Sequence, residues 1–100
     1  MEKKLKMTLY HANWCGHCVT FLPEWKKFKN DAKISFKNKI DISDVESENI
    51  KGDVTIAGKQ LEGFPTVKVE YGGQEFEYKG KRSYAGLNNF VKTRIDKITI

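Results

Sequence analysis

Both cysteines of the chain lie in one pentapeptide, Trp14-Cys15-Gly16-His17-Cys18. Apolar, strand-like residues lead into it, from Met7 to Tyr10. An amphipathic pattern leads out, with Phe21, Leu22, Trp25 and Phe28 at helical spacing. A Cys-x-x-Cys pair at a strand-to-helix turn closes a small disulfide ring, and thiolate attack opens it again. So short a ring constrains little of the unfolded chain and would add little stability as a bridge. The pair therefore reads as redox chemistry rather than as a staple.

The elements around this turn follow a β-α-β-α-β-β-α order. Lys4 to His11 is the first strand; its later half is apolar on both sides, as in a strand covered on both faces. The first helix begins near Trp14 or Cys15 and runs to about Asn30, with Pro23 kinking it rather than ending it. Ile34 to Ile42 is a second strand region, best formed from Lys39 to Ile42. Ser43-Asp44 caps a short helix from Val45 to about Lys51, which Gly52 stops. Residues 53–63 read as a loop. Thr66 to Tyr71 and Gln74 to Tyr78 form a hairpin through Gly72-Gly73. Lys79 to Arg82 is a loop, and Ser83 caps a last helix to about Ile95, with Leu87, Phe90, Val91 and Ile95 in one stripe. The first two strands, joined by a helix, should be parallel. The expected α/β fold is a four-stranded mixed sheet flanked by helices that cover both its faces. One hundred residues make one domain, 1–100.

The net charge of +5 raises nucleic-acid binding as a reading. Against it, only Arg82 and Arg94 are arginine, the residue suited to bidentate phosphate and guanine contacts. The lysines are scattered along the chain, so a solvated surface is the better account. No apolar run reaches membrane-spanning length. Nothing at Met1-Glu2-Lys3-Lys4 reads as a signal peptide, and Lys97-Ile98-Thr99-Ile100 is no retention signal. As written, the chain is expected in the cytoplasm; a leader removed earlier would place it in the endoplasmic reticulum lumen. A monomer free of nucleic acid and membrane is the expectation.

At the dithiol, Cys15 is the expected nucleophile. A cysteine at a helix N-terminus faces the positive end of the dipole and orphan backbone N–H groups, which favour thiolate over thiol. His17, when protonated, adds to that effect. Cys15 should reach solvent, and Cys18, one turn further in, should be buried and act as the resolving thiol. Stabilising the thiolate makes the disulfide the better oxidant, so His17 points toward donating or reshuffling disulfides. Phe64-Pro65, before a strand, is a candidate cis peptide. No cofactor is called for beyond the Cys15–Cys18 disulfide itself. Two rivals remain: a zinc site made of Cys15, Cys18, His11 and His17, and a binding module that retains the fold without the chemistry. His11 otherwise reads as a satisfied strand residue.

The pentapeptide Trp14-Cys15-Gly16-His17-Cys18 resembles the active-site motif of the protein disulfide isomerase family. Pro23-Glu24-Trp25 is similar to the Pro-Glu-aromatic that follows in those domains, and Gly63-Phe64-Pro65-Thr66 to the family's Gly-aromatic-Pro-Thr. Tyr78-x-Gly80-x-Arg82 and Lys39-Ile40-Asp41 also resemble family segments. The resemblance implies a minimal thioredoxin fold and a thiol-disulfide oxidoreductase acting on protein or peptide clients, with glutathione or a redox protein recycling it. A general reductase of the thioredoxin kind is the alternative. It implies a cis Pro65 opposite the dithiol, client contacts at Trp14, Gly63, Phe64 and Pro65, an Arg82 that tunes Cys18, and a Lys39 beneath the site. Two positions depart from the family pattern. Leu9 stands where the family has a buried acid that helps move the proton of the inner cysteine, and Asn13 replaces the usual proline. The first departure implies slower attack by Cys18.

Overall fold

The computed structural model describes residues 4–98. The terminal readings on Met1-Glu2-Lys3 and on Thr99-Ile100 lie outside the described residues. The elements are β1 (Leu5–His11), α1 (Gly16–Ser35), β2 (Ile40–Glu46), β3 (Thr55–Ile56), β4 (Lys59–Gln60), β5 (Thr66–Tyr71), β6 (Gln74–Glu77) and α2 (Tyr84–Ile98). The main sheet has the order β2-β1-β5-β6. β1 runs parallel to β2, with Leu5 beside Ile40 and Leu9 beside Asp44. It runs antiparallel to β5, with Leu9 opposite Val67. β5 and β6 turn through Gly72 (φ 60°) and Gly73 (φ 82°), the two positive angles that a two-residue hairpin requires.

Alternation along the strands decides which face is dry. Leu5, Met7 and Leu9 of β1, Ile40 and Ile42 of β2, and Val67 and Val69 of β5 form one buried layer. Phe21, Trp25, Phe28 and Ala32 of α1 and Leu87, Val91 and Ile95 of α2 pack against that same layer. Both helices therefore cover one face, and the expectation of helices on both faces is corrected. The residues in between are polar: Lys6 and Thr8, Asp41 and Ser43, Lys68 and Glu70. They carry the opposite face as a hydrated surface, where Thr8 meets Ser43 at 3.3 Å and Lys68 meets Glu75 at 3.3 Å. β1 is thus buried on one side only.

Three further expectations change. α1 runs on to Ser35 rather than stopping near Asn30, because its stripe continues from Phe28 to the buried Ala32 with no breaker between. Ile34 is consequently a helical residue, 75 % exposed, and not part of a strand. The helix ends when Phe36 N–H bonds Ala32 O at 2.9 Å and Lys37 turns left-handed at φ 50°. The short helix from Val45 is not formed. Pairing with β1 carries β2 through Glu46, leaving a single 3-10 turn at Ser47–Asn49. Residues 53–63, read as loop, contain the small β3–β4 hairpin, tied to β6 by Ala57 N–H on Glu75 Oε1 at 2.7 Å.

Candidate active site

β1 delivers the chain to the site. After His11 the backbone turns, with Cys15 N–H on Ala12 O at 3.1 Å. Asn13 N–H donates to Glu46 Oε2 at 3.3 Å and fixes the turn to β2. Cys15 is the N-cap of α1: its backbone is extended (φ −93°, ψ 113°) and its Sγ accepts Cys18 N–H at 3.2 Å. The sulfur sits where an Asp or Ser oxygen usually does, against the positive end of a 20-residue helix.

The other wall is the segment before β5. The Phe64-Pro65 bond is cis, as expected. The Cys15 thiol donates to Phe64 O at 3.6 Å. The Phe64 side chain packs on Ala12, Cys15 and Cys18. Thr66 Oγ1 donates to Gly63 O at 2.7 Å and pins the segment from behind. Trp14 stands edge-on to Phe64, centroids 5.8 Å apart at 84°, yet is 76 % exposed. So large a ring, exposed and edge-on to Phe64, leaves an apolar surface beside the sulfur.

Both cysteines are free thiols. Cys15 is 7 % exposed and Cys18 1 %. The order is as expected, but the open access expected for Cys15 is corrected: Phe64 and Ala12 close over most of it. Burial, then the hydrogen bond with Cys15, pushes the Cys18 thiol up to about 11. A hydrogen bond from the Ala12 backbone and the charge of Arg82 pull the other way. Arg82 is exposed, and its charge acts on the inner sulfur. Its loop is clamped by Tyr78 Oη, which donates to Lys81 O at 2.7 Å. His17 is exposed on the first turn of α1, between the two cysteines.

Not every site residue expected from the sequence is brought here. Lys39 is exposed in the turn before β2, next to the Leu5 end of β1 and away from the dithiol. Lys29 of α1 instead places its Nζ 2.9 Å from Asp44 Oδ2 of β2. The zinc alternative is not assembled, since among the described residues no three His, Cys, Asp or Glu side chains converge. His11 is not a satisfied strand residue: its Nδ1 is buried and, among the described residues, has no hydrogen-bond partner. Asp44, expected as a helix cap, is a strand residue that accepts Trp25 Nε1–H at 3.2 Å. The period of two along β1 marks His11, in phase with Leu9, as facing α1. The role of Asp44 depends on a register that only the sheet supplies.

Comparison with known proteins decides the family. The profile described as Thioredoxin matches residues 1–93. This chain belongs to the thioredoxin family. The curated relatives of this thioredoxin domain include a protein disulfide-isomerase of Hordeum vulgare, 32 % identical over 93 residues. That match covers 86 % of this chain and 17 % of the barley protein. Protein disulfide-isomerase A4 of Bos taurus is 33 % identical over 96 residues, covering 91 % of this chain and 14 % of the relative. The thioredoxin domain thus spans less than a fifth of the length of either. Among solved structures, the zinc-bound form of human ERp44 superposes with a TM-score of 0.76 at 19 % identity. It covers 90 % of this chain and 27 % of that one. The first thioredoxin domain of mouse protein disulfide-isomerase A4 gives 0.67 at 23 % identity, covering 90 % and 62 %. These two likenesses carry the fold. No described helix is long and apolar enough to cross a membrane.

Proposed function

We propose that this thioredoxin domain is a thiol-disulfide oxidoreductase of the disulfide isomerase type, acting on protein or peptide clients. One observation carries the reading: Cys15 Sγ is held between Cys18 N–H at 3.2 Å and Phe64 O at 3.6 Å. The sulfur caps the N-terminus of α1. It also lies beside a backbone carbonyl with which an extended client chain can pair. Cys15 attacks a client disulfide, or its own disulfide with Cys18 is attacked by a client thiolate. Cys18, buried one turn further in, resolves the mixed disulfide. Trp14, Gly63, Phe64 and Pro65 form the client surface, His17 lies between the two cysteines, and Arg82 supplies positive charge to the inner sulfur. The dithiol is the redox group, and glutathione or a redox protein recycles it.

The likeness of the curated relatives to the chain supports disulfide formation or reshuffling over general reduction, and an oxidising compartment is where that direction is useful. A redox titration of Cys15–Cys18 against glutathione, read by alkylation and mass, tests it. A potential near the isomerase value of about −180 mV is expected. A value near the reducing thioredoxin figure of about −270 mV would establish the general reductase instead.

A further inference from the structure

Two grooves meet at β6, the last strand of the main sheet. The first, about 650 Å³, runs from Gly63, Phe64 and Pro65 to Phe76, Glu77 and Lys79. The second, also about 650 Å³, starts from the same last three residues and continues to Phe90 and Arg94 of α2. Each is of a size that holds several side chains. A chain lying on the Phe64-Pro65 wall can therefore continue past the end of β6 onto α2.

The charge along this path is one-sided. Lys59, Lys79, Lys81, Arg82 and Arg94 line it, against Glu62 and Glu77. Among the described residues, none of those five cations has a carboxylate partner. Glu75, the other acid at this end of the sheet, is engaged by Lys68 and by Ala57 N–H and does not offset them. Arg94 is the most ordered of the cations. Its guanidinium carbon lies 5.3 Å from the centre of the Phe76 ring and 5.2 Å from that of Phe90. The rings restrain the cation and leave its N–H donors without an acidic acceptor. Phe90 also packs on Phe76 and Tyr78, with centroids 6.1 Å and 5.1 Å apart, so the aromatic floor is fixed. Such a floor with cations around it fits an apolar side chain flanked by carboxylates. Single-stranded nucleic acid also uses aromatic rings in cationic grooves. Here Arg94 covers two of the rings, and Glu62 and Glu77 line the same path. Closely spaced phosphates would be repelled there, whereas a polypeptide can space its carboxylates to avoid those acids.

We propose that this path is a specificity groove for acidic protein clients. A client segment next to the reactive cysteine, with carboxylates around an apolar side chain, lies from the Phe64-Pro65 wall to Arg94. The inference rests on the oxidoreductase reading above and names the client class that reading leaves open.

The test uses the full chain, reduced, and peptides whose single cysteine is joined to a nitrobenzoate thiol by a disulfide. Attack of the Cys15 thiolate on the peptide sulfur breaks that bond and releases the coloured thiolate. The peptides carry Glu-Phe-Glu, Ser-Phe-Ser or Lys-Phe-Lys, before the cysteine in one set and after it in another, on glycine linkers of graded length. In at least one set the acidic peptide should half-saturate the protein at roughly a tenth of the concentration the neutral one needs, an advantage that added salt reduces. Arg94→Gln, and separately Lys79→Glu, should cut that advantage about fivefold or more. Each rate is divided by the same variant's rate with the nitrobenzoate disulfide alone, which is too small to reach β6. Equal half-saturation by acidic and neutral peptides in both sets overturns the inference. So does an acidic advantage that both substitutions leave intact. Tighter binding of a short oligothymidylate than of the acidic peptide, lost in Arg94→Gln, overturns it in favour of nucleic acid. A wild type inert toward the small disulfide overturns the oxidoreductase reading instead. The acidic peptide with serine for cysteine, followed by fluorescence anisotropy, then decides the groove through the same two substitutions.

Discussion

Cys15 and Cys18 are three residues apart and differ because one caps the helix and the other lies inside it. The cap position gives Cys15 the Cys18 N–H; the interior position gives Cys18 burial and a thiol raised to about 11. For the reduced protein this has a sign. A thiol raised above its ordinary value, near 9, favours the folded state while protonated. That contribution is whole below pH 9 and is lost as pH rises toward 11. Denaturant titrations of reduced wild type should show stability falling across that window, and Cys18→Ala should flatten the fall. Trp14 makes the complementary case. It is 76 % exposed, so Trp14→Ala should leave the melting temperature nearly unchanged. Its loss from the client surface is expected to raise KM for a peptide disulfide roughly fivefold or more, as truncating an interface tryptophan typically costs over about 1 kcal/mol. An unchanged KM would remove Trp14 from the client surface.

At the scale of elements, the Arg82 loop depends on its neighbours more than on its own sequence. Tyr78 Oη holds Lys81 O, and the first turn of α2 closes over the same carbonyl. A Cβ at Gly86 would lie 2.8 Å from Lys81 O and 3.0 Å from Tyr78 Oη. Gly86→Ala therefore must move the loop or the helix. A cost of about 1–3 kcal/mol is expected from such overpacking, together with a changed reactivity of Cys18 as Arg82 shifts; chemical denaturation and alkylation rates measure both. α2 is anchored at the same end by Ser83 Oγ, which accepts Gly86 N–H at 3.1 Å, and by Glu24 of α1, which accepts Tyr84 N–H at 3.2 Å. The Ser83 cap was legible from residue type alone. The Glu24 contact was not, since it joins residues sixty positions apart.

For the molecule as a whole, two helices on one sheet face make a two-layer body with one hydrated side. The most protected amides should lie in β1, β5 and α1, whose side chains form much of the main core. The β3–β4 hairpin, two residues on each side with only Ile56 buried, should exchange first. Hydrogen exchange followed by mass spectrometry measures this order, and a hairpin as protected as β1 would contradict it. The dithiol turn, the helix that continues through Pro23 and the Gly72-Gly73 hairpin were readable, because each is a local pattern with a local physical cause; the Phe64-Pro65 wall was implied only by the family resemblance, since it meets Cys15 across 49 positions. The misread elements share a different cause. Ser43-Asp44 has cap chemistry, yet pairing of Leu9 with Asp44 and of Tyr10 with Val45 keeps the segment extended. Lys39 matched a motif by letters, but the parallel register puts it at the far end of β1. The residues of this chain determined that two sulfurs would meet at a helix start, since spacing and backbone preference act within a few positions. Only the tertiary structure decided which sheet face is covered, how deeply Cys15 is enclosed, and that Asp44 lies beside Leu9. Those outcomes come from packing and strand register between segments far apart in the chain, and no short stretch of sequence contains them.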